Sequence, residues 1–172
     1  MRKLILFFGF IIYITKIFAT IYPNFFFKNI AVDMGLSHNM VYAILQDKQG
    51  FMWFGTQEGL NRFDGISFKI YKKEPYKKNS LKSNAIFSLL EDKNGIIWIG
   101  TDHGISLYDP KLNYFINKEL QSNQGETYIG IVRSIVADKN NNIWLSLEDK
   151  GIFCINEEET RFYSLEKFLE NG

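Results

Sequence analysis

From Val41 onward, apolar residues come in short runs of four to six, broken by Asp, Asn, Gly and Lys, and within a run they tend to alternate with other positions. A period of two belongs to a strand with one buried face, whereas a helix needs apolar residues at intervals of three and four over ten or more positions. Val41, Ala43 and Leu45 fall on one side of the first run, with Tyr42, Ile44 and Gln46 on the other. Ile86, Ser88 and Leu90 repeat this against Phe87 and Leu89. The runs are rich in β-branched and aromatic types, as strands are.

The runs recur in blocks. Residues 41–71, 86–115 and 132–163 superpose when anchored on Trp53, Trp98 and Trp144, which are 45 and 46 residues apart. Each tryptophan lies six residues after an aspartate: Asp47, Asp92 and Asp138. Each block divides into four runs, the requirement for a four-stranded antiparallel blade. A small residue recurs in the first run (Ala43, Ser88, Ser134), as suits an innermost strand near a crowded axis. Asp then opens a hairpin turn by bonding forward to turn amides. The tryptophan run carries Gly55, Gly100 or Ser146 two residues on, where a neighbouring blade approaches closely. Gly59, Gly104 or Gly151 opens the third run, with Leu60, Ile105 and Ile152 as its buried positions. The fourth run, 68–71, 114–115 and 162–163, is aromatic and variable, as expected of an outer edge.

A repeat of this length built of strands predicts an all-β fold, an incomplete β-propeller of three four-stranded antiparallel blades. Residues 36–80, 81–126 and 127–172 are the three blades, and 20–35 form an N-terminal closing strand and linker, because the Phe25-to-Ile30 segment leads into Val41 as Phe68–Tyr71 leads into Ile86. Closed propellers usually have about four to eight blades, and open sheet edges invite aggregation. The chain therefore reads as the first part of a longer product or a truncated gene, poorly soluble alone. The alternative is a three-blade protein that closes by oligomerising.

Charge narrows the function. Arg2, Lys3 and Lys16 have no acidic neighbour within 1–19, and without that segment the formal net charge falls from +1 to −2, which excludes a basic nucleic-acid-binding surface. Arg2 and Lys3 precede an apolar run over 4–14, the pattern of a signal peptide over 1–19 with cleavage after Ala19; Lys16 cuts the run short of a membrane span. The one cysteine, Cys154, forms no internal disulfide.

Candidate chemistry is sparse. Asp47, Asp92 and Asp138 are dispersed to equivalent blade corners, as turn caps rather than metal ligands. The identical register of Trp53, Trp98 and Trp144 favours blade packing over sugar stacking. A ligand platform uses residues that differ between blades: Tyr42, Phe87 and Arg133, or the turn residues Gln57, Glu58, Asp102 and His103. His38 and His103 have no Cys or His partner at metal spacing. No phosphate loop, nucleophile elbow or carboxylate cluster stands out, so neither catalytic residue nor cofactor is expected.

Gly35-Leu36-Ser37-His38-Asn39, Gln46-Asp47-Lys48-Gln49-Gly50, Trp53-Phe54-Gly55-Thr56 and Gly59-Leu60-Asn61-Arg62-Phe63-Asp64-Gly65 resemble the two-component regulator propeller repeat, over residues 25 to about 165. The third unit departs from it at Asn141 and Ser146 and carries one extra residue before Gly151. The resemblance implies the periplasmic sensor region of a hybrid histidine kinase, exported to the outer side of the inner membrane, homodimeric, partnered by further blades and downstream receptor domains, and sensing oligosaccharides. The histidine kinase itself would lie outside this non-catalytic segment. Two rivals remain: a secreted scaffold that binds protein or glycan without a kinase, and a propeller lyase or glycoside hydrolase.

Overall fold

The computed structural model describes residues 27, 29–122, 125–156 and 160–164. The signal peptide expected over 1–19 lies outside them, as do residues 20–26 and 28 of the closing strand and linker expected over 20–35; the described remainder of that segment forms no strand. A short 3-10 turn, Val32–Met34, leads into the first sheet.

Among the described residues there are three four-stranded antiparallel sheets, each a simple meander. The first joins β1 (Val41–Gln46), β2 (Met52–Thr56), β3 (Gly59–Phe63) and β4 (Phe68–Tyr71). The second joins β5 (Ile86–Glu91), β6 (Ile97–Thr101), β7 (Gly104–Asp109) and β8 (Tyr114–Lys118). A two-stranded pair, β9 (Leu120–Gln121) with β10 (Thr127–Tyr128), follows before the third sheet of β11 (Val132–Ala137), β12 (Ile143–Leu147), β13 (Gly151–Ile155) and β14 (Thr160–Ser164). The first strands β1, β5 and β11 lie beside one another, so the sheets fan out from a shared inner edge as propeller blades do.

Two apolar joints hold the fan together. Trp53, Leu60 and Leu81 from the first blade and its outgoing loop pack with Ile86, Ile97, Ile99, Tyr108 and Phe115 of the second. Trp98 and Ile105 of the second pack with Val132, Ile135, Leu145 and Phe153 of the third. The first two blades thus turn their tryptophans toward the next. The inner strands meet only because the second strand carries glycine: a Cβ on Gly55 would stand 2.6 Å from Ile86 Cγ2, and one on Gly100 would stand 2.7 Å from the Val132 carbonyl. Ser88 adds a hydroxyl bond to that same carbonyl at 2.9 Å.

Several positions differ from the sequence reading, each for a physical reason. Leu60 and Ile105 are fully buried, but Ile152 is half-exposed and Ser134 exposed, because both lie in the third blade, beyond which no described blade packs. The outer strand of the second blade runs on to Lys118 rather than stopping at Phe115, since the ladder with β7 continues to Ile105. The β9–β10 pair is too short to give a periodic signal, yet Leu120 and Tyr128 pack into the second joint. Asn141 takes the left-handed conformation (φ 63°) that Gly50 and Gly95 take in the other blades, which an asparagine tolerates better than most residues. The extra residue before Gly151 is absorbed by Asp149, at φ 57°.

Candidate functional site

Each aspartate clamps its own hairpin. Asp47 Oδ1 accepts the amides of Gln49 (3.0 Å) and Phe51 (2.9 Å), and Oδ2 accepts the Trp53 indole N–H at 2.7 Å. Asp92 does the same for Asn94, Ile96 and Trp98, and Asp138 for Asn140, Asn142 and Trp144. In the first two blades the indole bonds and faces the next blade at once, so turn and joint share one residue. The bond from Trp144, with those from Asn142, holds the Asp138 carboxyl at about 2, below the ordinary carboxylate range. These groups are consumed by architecture and leave little for a ligand.

The opposite end of the blades is different. In each first strand the pairing slips at the second residue, between Val41 and Ala43, Ile86 and Ser88, and Val132 and Ser134. The slip is a bulge, which turns a side chain out of the pleat. The residues turned out are Tyr42, Phe87 and Arg133. Tyr42 stacks on Phe87 with centroids 4.9 Å apart and planes at 26°, and the Arg133 guanidinium carbon sits 4.8 Å from the Phe87 centroid. Three residues from three blades thus form one continuous stack along the inner rim.

Behind the stack stand the turns between second and third strands. Tyr42 Oη donates to Gln57 Oε1 at 2.7 Å. Arg133 donates to Glu148 through Nε at 3.1 Å and Nη2 at 3.0 Å. The corresponding residue of the second blade, Asp102, has its Oδ1 2.9 Å from His103 Nδ1. Burial raises the Asp102 pKa, but bonds with Ser83 and His103 outweigh it and leave the group below its usual value. Glu58 points away to Lys72, 3.7 Å off, and His38 Nδ1 accepts the Met40 amide, so neither joins the stack. Gly59, Gly104 and Gly151 open β3, β7 and β13 next to these turns.

Sequence reasoning missed two features here. Glu148 shares the register of Gln57 and Asp102, immediately after the second strand, and that register was its available signal. Thr56 and Thr101, both fully buried, each donate to a glycine carbonyl (Gly59, Gly104) at 2.9 Å and accept an amide at 3.1 Å, fixing the turns in place. Among the described residues no group of three His, Cys, Asp or Glu could hold a metal ion, and no helix is long and apolar enough to cross a membrane.

Residues 35–58 and 80–103 match the family described as two component regulator propeller. Both stretches run from the loop before a blade to its rim turn. Over 58 residues, 34% of this chain and 4% of the relative, the sequence is 48% identical to histidine kinase P4 of Formosa agariphila. The fold matches the extracellular domain assigned to hybrid two component system BT3049 of B. thetaiotaomicron, with TM-score 0.74 and 29% identity over 81% of this chain and 20% of that one. An extracellular domain assigned to BT4673 of the same organism gives TM-score 0.63 and 27% identity over 79% of this chain and 20% of that one. The chain therefore spans about one-fifth of the length of these solved domains. Its first two blades thus match the two component regulator propeller repeat, and the third blade repeats their architecture.

Proposed function

We propose that this chain is a non-catalytic, ligand-recognising part of the extracellular sensor region of a two-component receptor, acting on the periplasmic side with further blades and downstream receptor domains as partners. The observation that carries this reading is the match in backbone and sequence to extracellular domains of hybrid two component systems. The rim is where recognition is placed. Tyr42 keeps 40% of its surface exposed, and planar polar groups at Gln57, Asp102 and Glu148 flank the stack. A pyranose offers C–H faces to such rings and hydroxyls to such amide and carboxylate oxygens. Each contact is weak, so affinity for an oligosaccharide accumulates over several sugar units.

The test is calorimetric titration of a panel of oligosaccharides released from complex polysaccharides into the full chain and its Tyr42→Ala and Arg133→Ala variants. At least one oligosaccharide is expected to bind, about tenfold more weakly to Tyr42→Ala, with unchanged melting temperatures. Absence of binding across the panel, or equal binding by both variants and the parent chain, would overturn the reading.

A further inference from the structure

The two joints between blades share one ladder and are filled differently. Tyr71 stands opposite Leu60 in the first blade and Tyr163 opposite Ile152 in the third, but the residue opposite Ile105 in the second is Lys118. Tyr71 and Tyr163 each lie over their own blade's tryptophan, at centroid distances of 6.0 and 5.8 Å and interplanar angles of 18° and 23°. Lys118 supplies no such ring to Trp98.

Two more replacements face the same gap. Tyr108, which packs on Trp53 at 5.4 Å, pairs with Ile97; its counterpart in the third blade, paired with Ile143, is Ile155. Glu91, whose carboxylate accepts the Lys48 amide at 2.8 Å across the first joint, has Ala137 as counterpart at the second. Each change removes volume from one joint. The outcome is a cleft of about 500 Å³ between the second and third blades, against about 210 Å³ between the first and second. That larger volume falls within the range of small-molecule sites.

The cleft has an apolar wall of Trp98, Leu107, Ile143 and Ile155, and Lys118 brings a charge to it. Lys118 is half-buried, its ammonium bonds no described residue, and burial pushes its pKa down, the mark of a charge that has lost water without gaining an acceptor. The carboxylates in the wall are engaged elsewhere: Asp92 by two turn amides and the Trp98 indole, Glu91 by the Lys48 amide. Lys48 Nζ donates to the carbonyls of Asp92 and Lys93 at 2.7 and 3.3 Å, so among the described residues of the wall Lys118 is the ammonium left without an acceptor.

We propose that this cleft binds a ring-shaped carboxylate, whose ring takes the space a tyrosine fills in the first joint and whose carboxylate meets Lys118. A uronic acid pyranose and an aryl carboxylate share that chemistry. The cleft lies at the aspartate-turn ends of the blades, opposite the rim, and would bind its ligand whether or not the rim binds one.

The test titrates galacturonate and benzoate, with galactose and benzyl alcohol as neutral counterparts, into the full chain and two variants. At least one acid is expected to bind, with its neutral counterpart at least about tenfold weaker and Lys118→Gln weakening the acid by a similar factor. Whichever acid binds identifies the ring. Lys118→Tyr restores the missing cap, so it is expected to melt at or above the parent temperature and to lose the acid. Acids that bind no better than neutral rings, or a Lys118→Tyr chain that binds them unchanged, would overturn the proposal.

Discussion

Removing the Asp47 carboxylate by Asp47→Ala strips three donors of their acceptor: the amides of Gln49 and Phe51 and the indole N–H of Trp53. Trp53 is 0% exposed, so water does not replace the lost partner, and a buried unsatisfied donor costs about 1–3 kcal/mol. The two turn amides are part-buried and regain some hydration, adding about 0.5–1 kcal/mol each. The total is about 2–5 kcal/mol. Asp138→Ala removes the same bonds and one more, from the Asn142 side-chain amide at 2.7 Å, but Trp144 is only half-buried, as it lies in the third blade, and water takes over. There the expected cost is smaller. In urea, with a slope of roughly 2 kcal/mol/M, the midpoint should fall by about 1–2.5 M for Asp47→Ala and by less for Asp138→Ala. Equal losses, or a larger loss for Asp138→Ala, would refute the claim that burial against a following blade sets the worth of the clamp.

Gly100→Ala pushes a methyl against the Ser88 hydroxyl and, at 2.7 Å, the Val132 carbonyl, whereas Gly55→Ala meets the Ile86 side chain at 2.6 Å and its carbonyl only at 3.3 Å; both should lower thermal stability, by about 1–3 kcal/mol, with Gly100→Ala the worse. Ser146→Ala, at the same position of the third blade, should stay within about 0.5 kcal/mol. Because Asp138 titrates at about 2 when folded and at 3.8 otherwise, the stability it contributes is complete above 3.8 and is lost as the pH falls toward 2. Tryptophan fluorescence followed from pH 5 to 1.5 should show a transition near the lower value that Asp138→Asn lacks.

The blade architecture was legible because the Asp-to-Trp interval is fixed by a hairpin that tolerates no insertion, so three copies stay in register over the chain. The rim was legible only as residues that vary: Tyr42, Phe87 and Arg133 occupy matching positions, but alternation alone places them on the outer face of a strand. The bulge that aims them at one another leaves no mark in the hydrophobic pattern. Lys118 was hidden for a different reason. The connection from third to fourth strand differs in length between blades, so the sequence aligned Phe115 with Tyr71, whereas the hydrogen-bond ladder puts Lys118 there. The open third-blade face explains the remaining misses, Ile152 and Ser134, since burial at a joint depends on the neighbour and not on the blade's own residues.

Methyl- and aromatic-resolved nuclear Overhauser spectroscopy on the full chain tests most directly whether the three sheets lie side by side as described. Cross-peaks are predicted between the Tyr42 and Phe87 rings, between the Phe87 ring and the Arg133 side chain, and from the Ile86 and Val132 methyls to the α-protons of Gly55 and Gly100. Intact hairpins within each sheet without any of these contacts between sheets would contradict it.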